Sequence, residues 1–141
     1  MVSYQAHFEP EGDLIVVTFP DVGHGATTGA NETEALEMAE DFLVMVLNDM
    51  MEHGKALPIA RKHRGPQYRT IRLSALVSAK IELYRIFLAS GLTRPELANQ
   101  LGISPSSVDR LFDLNARTRL DLIDSALKAV GHRLTIDVEA A

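Results

Sequence analysis

Val2, Tyr4, Ala6 and Phe8 alternate with Ser3, Gln5 and His7, and a period of two predicts a strand with one face on a core. Pro10-Glu11-Gly12-Asp13 predicts a turn. The apolar, β-branched run Leu14 to Phe19 predicts a second strand, closing a hairpin. Pro20, Gly23 and Gly25 mark a loop, and Ala26 to Gly29 suits a short third strand. The period then changes. Ala35, Ala39, Phe42, Val46 and Met50 form one helical stripe, flanked by Leu36, Leu43 and Leu47. Asn31 and Glu34 are spaced as a capping box at its start, and Gly54 suits its end. With Met38 and Met45 on one edge, the apolar arc covers roughly 200°, about twice what one sheet face needs. Either a deeper core covers the surplus, or it is a partner surface, to which methionine adapts well.

Beyond Pro58, the stretch Ala60 to Gln67 holds Arg61, Lys62, His63, Arg64, Gly65 and Pro66 and has little to bury. It reads as a linker between a domain of residues 1–66 and one of residues 67–141. In the second, Ala75 to Ala89 predicts a helix with Leu76, Ala79, Leu83, Ile86 and Phe87 inward, stopped at Ser90-Gly91. Thr93 can cap a helix running Arg94 to Leu101, with Pro95 in its first turn and Glu96 at its third position. Gly102 can take positive φ and reverse the chain. Ser104 can then cap a third helix from Pro105 to Phe112.

Two short helices joined so tightly must cross steeply, around a small core of Leu97, Leu101, Ile103, Val108 and Leu111. That is the helix-turn-helix pattern, and its later helix would enter a DNA major groove. The same spacing is also met by a helical hairpin that never touches DNA. A fourth helix is expected from Thr118 to Val130, with Thr118 and Asp121 as a capping pair and Gly131 as its stop. Leu134, Ile136 and Val138 then alternate with Thr135 and Asp137, predicting a terminal strand. It would need a partner: Ile71 and Leu73 in this chain, or a second copy of it. The fold class expected is α+β, a β-β-β-α domain followed by a helix-turn-helix domain with flanking strands.

Charge sharpens this division. Residues 1–58 carry eleven acids against the single base Lys55, a balance of −10, whereas residues 59–141 carry thirteen bases against eight acids, +5. An acidic half repels nucleic acid and attracts a basic protein, and a basic half can meet nucleic acid. The plainer reading is a solvated acidic helix face beside an ordinary basic linker. On the helix-turn-helix, Ser104, Ser106, Ser107, Asp109 and Arg110 are the candidates for base edges, with Asp109 accepting from cytosine or orienting Arg110. Thr93, Arg94, Arg117 and Arg119 are the candidates for phosphate.

No catalytic constellation stands out. With no cysteine there is no disulfide, thiolate metal site or thiol nucleophile. His7, His24, His53, His63 and His132 show no recurring ligand spacing, so neither a metal nor another cofactor is expected. Asp13 and Asp21 lie at strand ends, where Asp is common for hydrogen-bonding reasons. The glycines match no dinucleotide or P-loop fingerprint. No apolar run approaches the ~20 residues of a membrane span, and the N-terminus lacks the features of a signal peptide, so a soluble cytoplasmic protein without a membrane partner is expected.

The two halves together resemble the HicB antitoxin family. Tyr4 to Phe8, Val16-Val17-Thr18-Phe19-Pro20-Asp21 and the passage from Gly29 to Glu34-Ala35-Leu36 resemble its N-terminal domain. Leu76 to Ile81, Leu97-Ala98-Asn99-Gln100-Leu101-Gly102-Ile103-Ser104, Arg110 to Asp113 and Ala126 to Gly131 resemble its helix-turn-helix variant. The likeness covers nearly the whole chain and departs at Gly23-His24-Gly25, where many relatives carry a more apolar loop. It implies a partial RNase H-like N-terminal domain without nuclease activity and an Xre/Cro-like C-terminal domain. It also implies a partner, a HicA-like toxin ribonuclease that is small, basic and cleaves mRNA, and repression of the antitoxin's own operon as a homodimer or higher homo-oligomer. Asp21, His24, Glu37, Met38, Asp41 and Met45 are then the candidates for touching the toxin. Two other readings are a stand-alone transcription regulator with an N-terminal small-ligand sensor, and an active nuclease.

Overall fold

A computed structural model describes residues 1–23 and 25–141. Its order is β1 (Ser3–Glu11), β2 (Leu14–Thr18), β3 (Thr27–Gly29), α1 (Glu32–Glu52), β4 (Tyr68–Arg72), α2 (Ala75–Ser90), α3 (Arg94–Leu101), α4 (Pro105–Leu111) and α5 (Leu120–Ala129). The chain divides into two compact units, Met1–Ala75 and Leu76–Ala141.

In the first unit the strands form one antiparallel sheet in the order β3-β2-β1-β4. β1 continues through Pro10 to Glu11, which pairs with Leu14, so the turn contracts to Gly12 and Asp13 with Gly12 at φ +61°. Tyr4, Ala6, Phe8, Val17 and Ile71 are buried on one face of the sheet. α1 covers them with Ala35, Ala39, Leu43, Leu47 and Met51. This stripe differs from the expected one in its second half, where Phe42, Val46 and Met50 are only partly buried. A strict four-residue spacing drifts by ~40° per step, so the buried line winds around the helix as it crosses a twisted sheet.

Both ends of α1 are set locally. The Asn31 side chain accepts the Glu34 amide at 2.9 Å, but the Glu34 carboxylate reaches back to the amide of Ala30 (3.2 Å) instead of closing a box on Asn31. At the other end Gly54 sits at φ +65°, its amide bonds the Met51 carbonyl, and that of Lys55 bonds the Met50 carbonyl, the two bonds of a Schellman ending.

β4 is the largest departure from the sequence reading. It pairs with β1 along Ser3↔Arg72 to His7↔Tyr68, so the strand belongs to the first unit, which ends at Ala75 and not at residue 66. The segment before it is a strap and not a bare linker. Tyr4 Oη donates to the Pro58 carbonyl at 2.5 Å, and Gln5 Oε1 accepts the His63 amide. The Asp21 carboxylate takes both the Arg61 amide and the His63 Nε2, each at 2.9 Å.

The second unit packs α2 to α5 around Ile81, Leu83, Tyr84, Phe87, Leu97, Val108, Leu111, Phe112, Ile123 and Leu127. Phe112 meets Tyr84 edge-on at 5.8 Å and Phe87 at 4.8 Å between centroids. α3 has the expected reciprocal capping box of Thr93 and Glu96, and ends on Gly102 at φ +65°. Ser104 caps α4 through the Ser107 amide.

α5 starts at Leu120, two residues later than the expected Thr118. Arg119 is its N-cap without a side-chain bond, and the expected Thr118–Asp121 pair does not form, because the Thr118 hydroxyl is buried and unbonded. Nor is there a terminal strand among the described residues. β1 already occupies Ile71, and after Gly131 no strand is formed, with Ile136 71% and Val138 88% exposed.

Candidate functional site

The α3–α4 pair is held from beneath by a cation. Lys80 of α2 is completely buried, and its Nζ donates to the carbonyls of Arg110 (2.9 Å), Asp113 (2.8 Å) and Ala116 (2.6 Å). The last carbonyls of any helix lack intrahelical partners. At α4 one ammonium serves the helix end and the loop that follows it. Burial pulls the Lys80 pKa below 10.5, the Asp113 charge opposes that, and the Arg110 charge adds to it. A lysine in a helical sequence pattern reads as surface, and only its flanking apolar residues Ala79 and Ile81 hinted otherwise.

Above this support lie the candidates for base edges. Ser104, Ser106, Asp109 and Arg110 are exposed and Ser107 is partly so. The Ser104 hydroxyl lies 3.0 Å from that of Ser106 and 2.9 Å from that of Ser107, so the three serines share hydrogen bonds before any ligand arrives. Asp109 pairs with Arg94 at 2.9 Å and not with Arg110. The Arg94 guanidinium also lies 5.0 Å over the Phe112 ring, so α3 and α4 are bridged by an ion pair and a cation–π contact. The Thr93 hydroxyl is occupied by its capping box. Arg117 and Arg119 are exposed between α4 and α5 and form no ion pair with the others among the described residues.

In the first unit, four of the six candidates for a protein partner fall together. Glu37, Met38, Asp41 and Met45 occupy one exposed face of α1, with Met38 40% and Met45 59% accessible. That face continues into a groove of about 450 Å³ lined by Met45, Val46, Asp49, Met50 and Lys55, a feature the sequence reading missed beyond its surplus of apolar arc. Asp21 is not with them. Its side chain is only 9% exposed and anchors the strap. Burial opposes its ionisation, but the bonds from the Arg61 amide and the His63 ring, with the charges of those residues, hold its carboxyl below 3.8. His24 lies outside the described residues.

Residues 3–82, from β1 into α2, match the family described as HicB_like antitoxin of bacterial toxin-antitoxin system. The chain belongs to that family. It is 36% identical over 138 residues to Antitoxin HicB 1 of Photorhabdus laumondii subsp. laumondii, covering 96% of this chain and 86% of the relative. It is 31% identical to Antitoxin HicB of Escherichia coli K12 over 127 residues, 90% of this chain and 91% of the other. Antitoxin HicB of Pseudomonas fluorescens is 28% identical across the full 141 residues and 97% of its own length.

The resemblance drawn from the sequence therefore holds, and the chain is an antitoxin of a toxin–antitoxin system, a regulatory protein and not an enzyme. The HicB-like match covers the sheet, α1, the strap and β4, whereas the full-length relatives extend the likeness over α3 to α5. Among the described residues, no helix is long and apolar enough to cross a membrane.

Proposed function

We propose that the first unit binds and neutralises a HicA-like toxin ribonuclease, and that the second represses the chain's own operon by binding operator DNA as a homodimer or larger assembly. The observation that carries the first half is the α1 face. Glu37 and Asp41 stand beside Met38 and Met45, so one surface offers negative charge to a protein built to hold RNA phosphates and adaptable apolar contact to its flanks. We read the four-stranded sheet with α1 as the partial RNase H-like domain of the family.

The second half is supported by α3 and α4, each with a side-chain cap, joined through left-handed Gly102, and carrying Ser106, Ser107, Asp109 and Arg110 outward. We read this as an Xre/Cro-like helix-turn-helix whose α4 enters the major groove. The small-ligand regulator has the Met45–Lys55 groove in its favour. The relatives carry the antitoxin name over nearly their whole length, which favours the toxin-binding reading. The test is co-expression with the product of the neighbouring short gene. Co-purification and restored growth are expected, and growth arrest despite an intact, soluble antitoxin would overturn the first half. The second is tested by binding of the full chain to its upstream DNA at low salt.

A further inference from the structure

Away from the exposed face of α1, the first unit carries a run of cations and a row of rings. Residues 59–75, the strap and β4, hold five bases and no acid, whereas residues 76–141 hold eight bases against eight acids. The whole positive surplus beyond residue 58 therefore sits on the first unit and not on the helix-turn-helix unit. Arg69 is paired with Glu32. Arg61, Lys62 and Arg64 are exposed, and Lys62 and Arg64 form no ion pair among the described residues. The backbone beneath them is fastened by the bonds of Pro58 to Tyr4, Arg61 to Asp21 and His63 to Gln5. Cations held in place before a ligand arrives lose less freedom on binding it.

The rings lie within this run. His63 stacks on Tyr68 at 5.2 Å between centroids, with the planes 25° apart, and Tyr68 meets His7 edge-on at 5.4 Å. Gln5 and His7 alternate with the buried Tyr4, Ala6 and Phe8, so the row lies on the sheet face turned away from α1. Seven of the eleven acids before residue 59 are on α1, and Glu9, Glu11 and Asp13 gather at the β1–β2 turn. The last, Asp21, is engaged by the Arg61 amide and the His63 ring. The sheet thus separates an acidic helix from a cationic, ring-bearing edge.

Cations recognise phosphate in any sequence, and flat rings recognise the faces of unpaired bases. A sheet whose rings take about two or three unpaired bases is a recurrent way of holding a single strand. A duplex keeps its base faces stacked inside and would leave the rings without a role. We propose that the strap and the adjoining sheet face bind a short unpaired nucleic-acid strand. Arg61, Lys62 and Arg64 meet its phosphates, and the row of His63, Tyr68 and His7 meets its bases. The site shares no residue with the α1 face assigned to the toxin, and its test needs neither toxin nor operator.

The experiment is fluorescence anisotropy of the full chain against labelled oligouridylate, oligothymidylate and an unrelated duplex at low salt, with circular dichroism as a folding control. Both single strands are expected to bind. A preference for oligouridylate would identify RNA as the source of the strand, and equal affinity any unpaired strand. Replacing Arg61, Lys62 and Arg64 together by alanine should weaken this binding about tenfold or more and lower its salt slope by about two. Tyr68→Leu should weaken it about tenfold at unchanged salt slope, and Tyr68→Phe should keep it. Arg110→Ala on α4 should leave it unaltered, which separates this site from the DNA contact proposed for the second unit. The proposal is overturned if neither single strand binds, if the triple replacement weakens only the duplex, if Tyr68→Leu binds as the wild type does, or if polyglutamate displaces oligouridylate as well as unlabelled oligouridylate does.

Discussion

Lys80 Nζ lies 2.6 Å from the carbonyl oxygen of Ala116, across thirty-six positions of sequence, and the same ammonium holds the carbonyls of Arg110 and Asp113. A buried charge is tolerated only where it is thoroughly hydrogen-bonded, and here all three protons are used. The contact fixes the C-terminal end of α4 and the start of the loop that carries Arg117. Lys80→Met keeps most of the volume and removes the charge, but takes the ammonium from all three carbonyls, leaving those of Arg110 and Asp113 only the amides of Asp113 and Ala116. Urea denaturation should show the C-terminal unit destabilised by about 2–4 kcal/mol. Unchanged stability would mean that water replaces the ammonium freely.

Arg94 and Asp109 should behave differently. The pair is exposed, 35% and 65%, so its share of stability is small, on the order of 0.5 kcal/mol. Its value is positional, since Asp109 and the Phe112 ring hold the guanidinium of Arg94, the first residue of α3. Arg94→Ala should weaken DNA binding about equally for operator and unrelated duplex and lower the salt slope by about one. Arg110→Ala should instead reduce the preference for operator, by about 1–3 kcal/mol, and leave toxin binding intact. Fluorescence anisotropy against salt separates the two, and identical behaviour of both variants would contradict these assignments.

What the sequence made legible was local. Asn31, Thr93, Ser104, Gly54 and Gly102 act on amides and carbonyls within a few residues, so their spacing alone placed the ends of α1, α3 and α4. Lys80 was hidden because its acceptors are distant and because charge in a helix normally signals solvent. The strap was hidden for the same reason: Arg61 and His63 look like linker residues until Asp21 and Gln5, some forty and more positions away, are folded beside them. Residues 69–73, with Ile71 and Leu73, could be read as a strand but not given an owner, because β1 offered an edge and so did the expected strand at Leu134. The α1 face was legible in composition as an excess of apolar arc beside acids, and folding gathered Glu37, Met38, Asp41 and Met45 while leaving Asp21 elsewhere.

Gly29 tests the packing of β3 on α1. A Cβ there would lie 2.4 Å from the Ala35 amide nitrogen and 2.5 Å from its Cα. Both are backbone atoms in the first turn of α1, so neither can rotate away. Gly29→Ala should cost roughly 1–3 kcal/mol by forcing strand and helix apart. Gly12→Ala, with nothing within 4 Å, should cost less and only through its positive φ of +61°. Thermal unfolding of the two variants decides the order.

The α1 face should set the rate of toxin capture. Replacing Glu37 and Asp41 by lysine reverses the charge beside Met38 and Met45 without touching the buried stripe, so folding should hold within about 0.5 kcal/mol. The association rate with the toxin should fall by about tenfold or more and lose most of its dependence on salt. Met45→Ala should act mainly on the dissociation rate. Stopped-flow mixing at two salt concentrations reads both, and unaltered rates would move the toxin contact off this helix.

Asp21 gives the first unit an acid-sensitive fastening. Its folded pKa lies below the 3.8 of the free group, because the hydrogen bonds and charges of Arg61 and His63 outweigh the burial that opposes ionisation. The folded state therefore binds fewer protons at this carboxyl than the unfolded chain does. Its contribution is fully present above about pH 4 and is lost as pH falls through the folded value. Asp21→Asn removes that contribution at every pH while keeping an acceptor for the Arg61 amide. The stability gap between wild type and Asp21→Asn should close as the pH falls below 3.8. Released, the strap from Pro58 to His63 should exchange its amides faster, the Arg61 amide first, since it donates directly to the Asp21 carboxylate, whereas the His63 amide donates to Gln5. No gap at pH 7 would show that the strap is held by Tyr4 and Gln5 without help from the carboxylate.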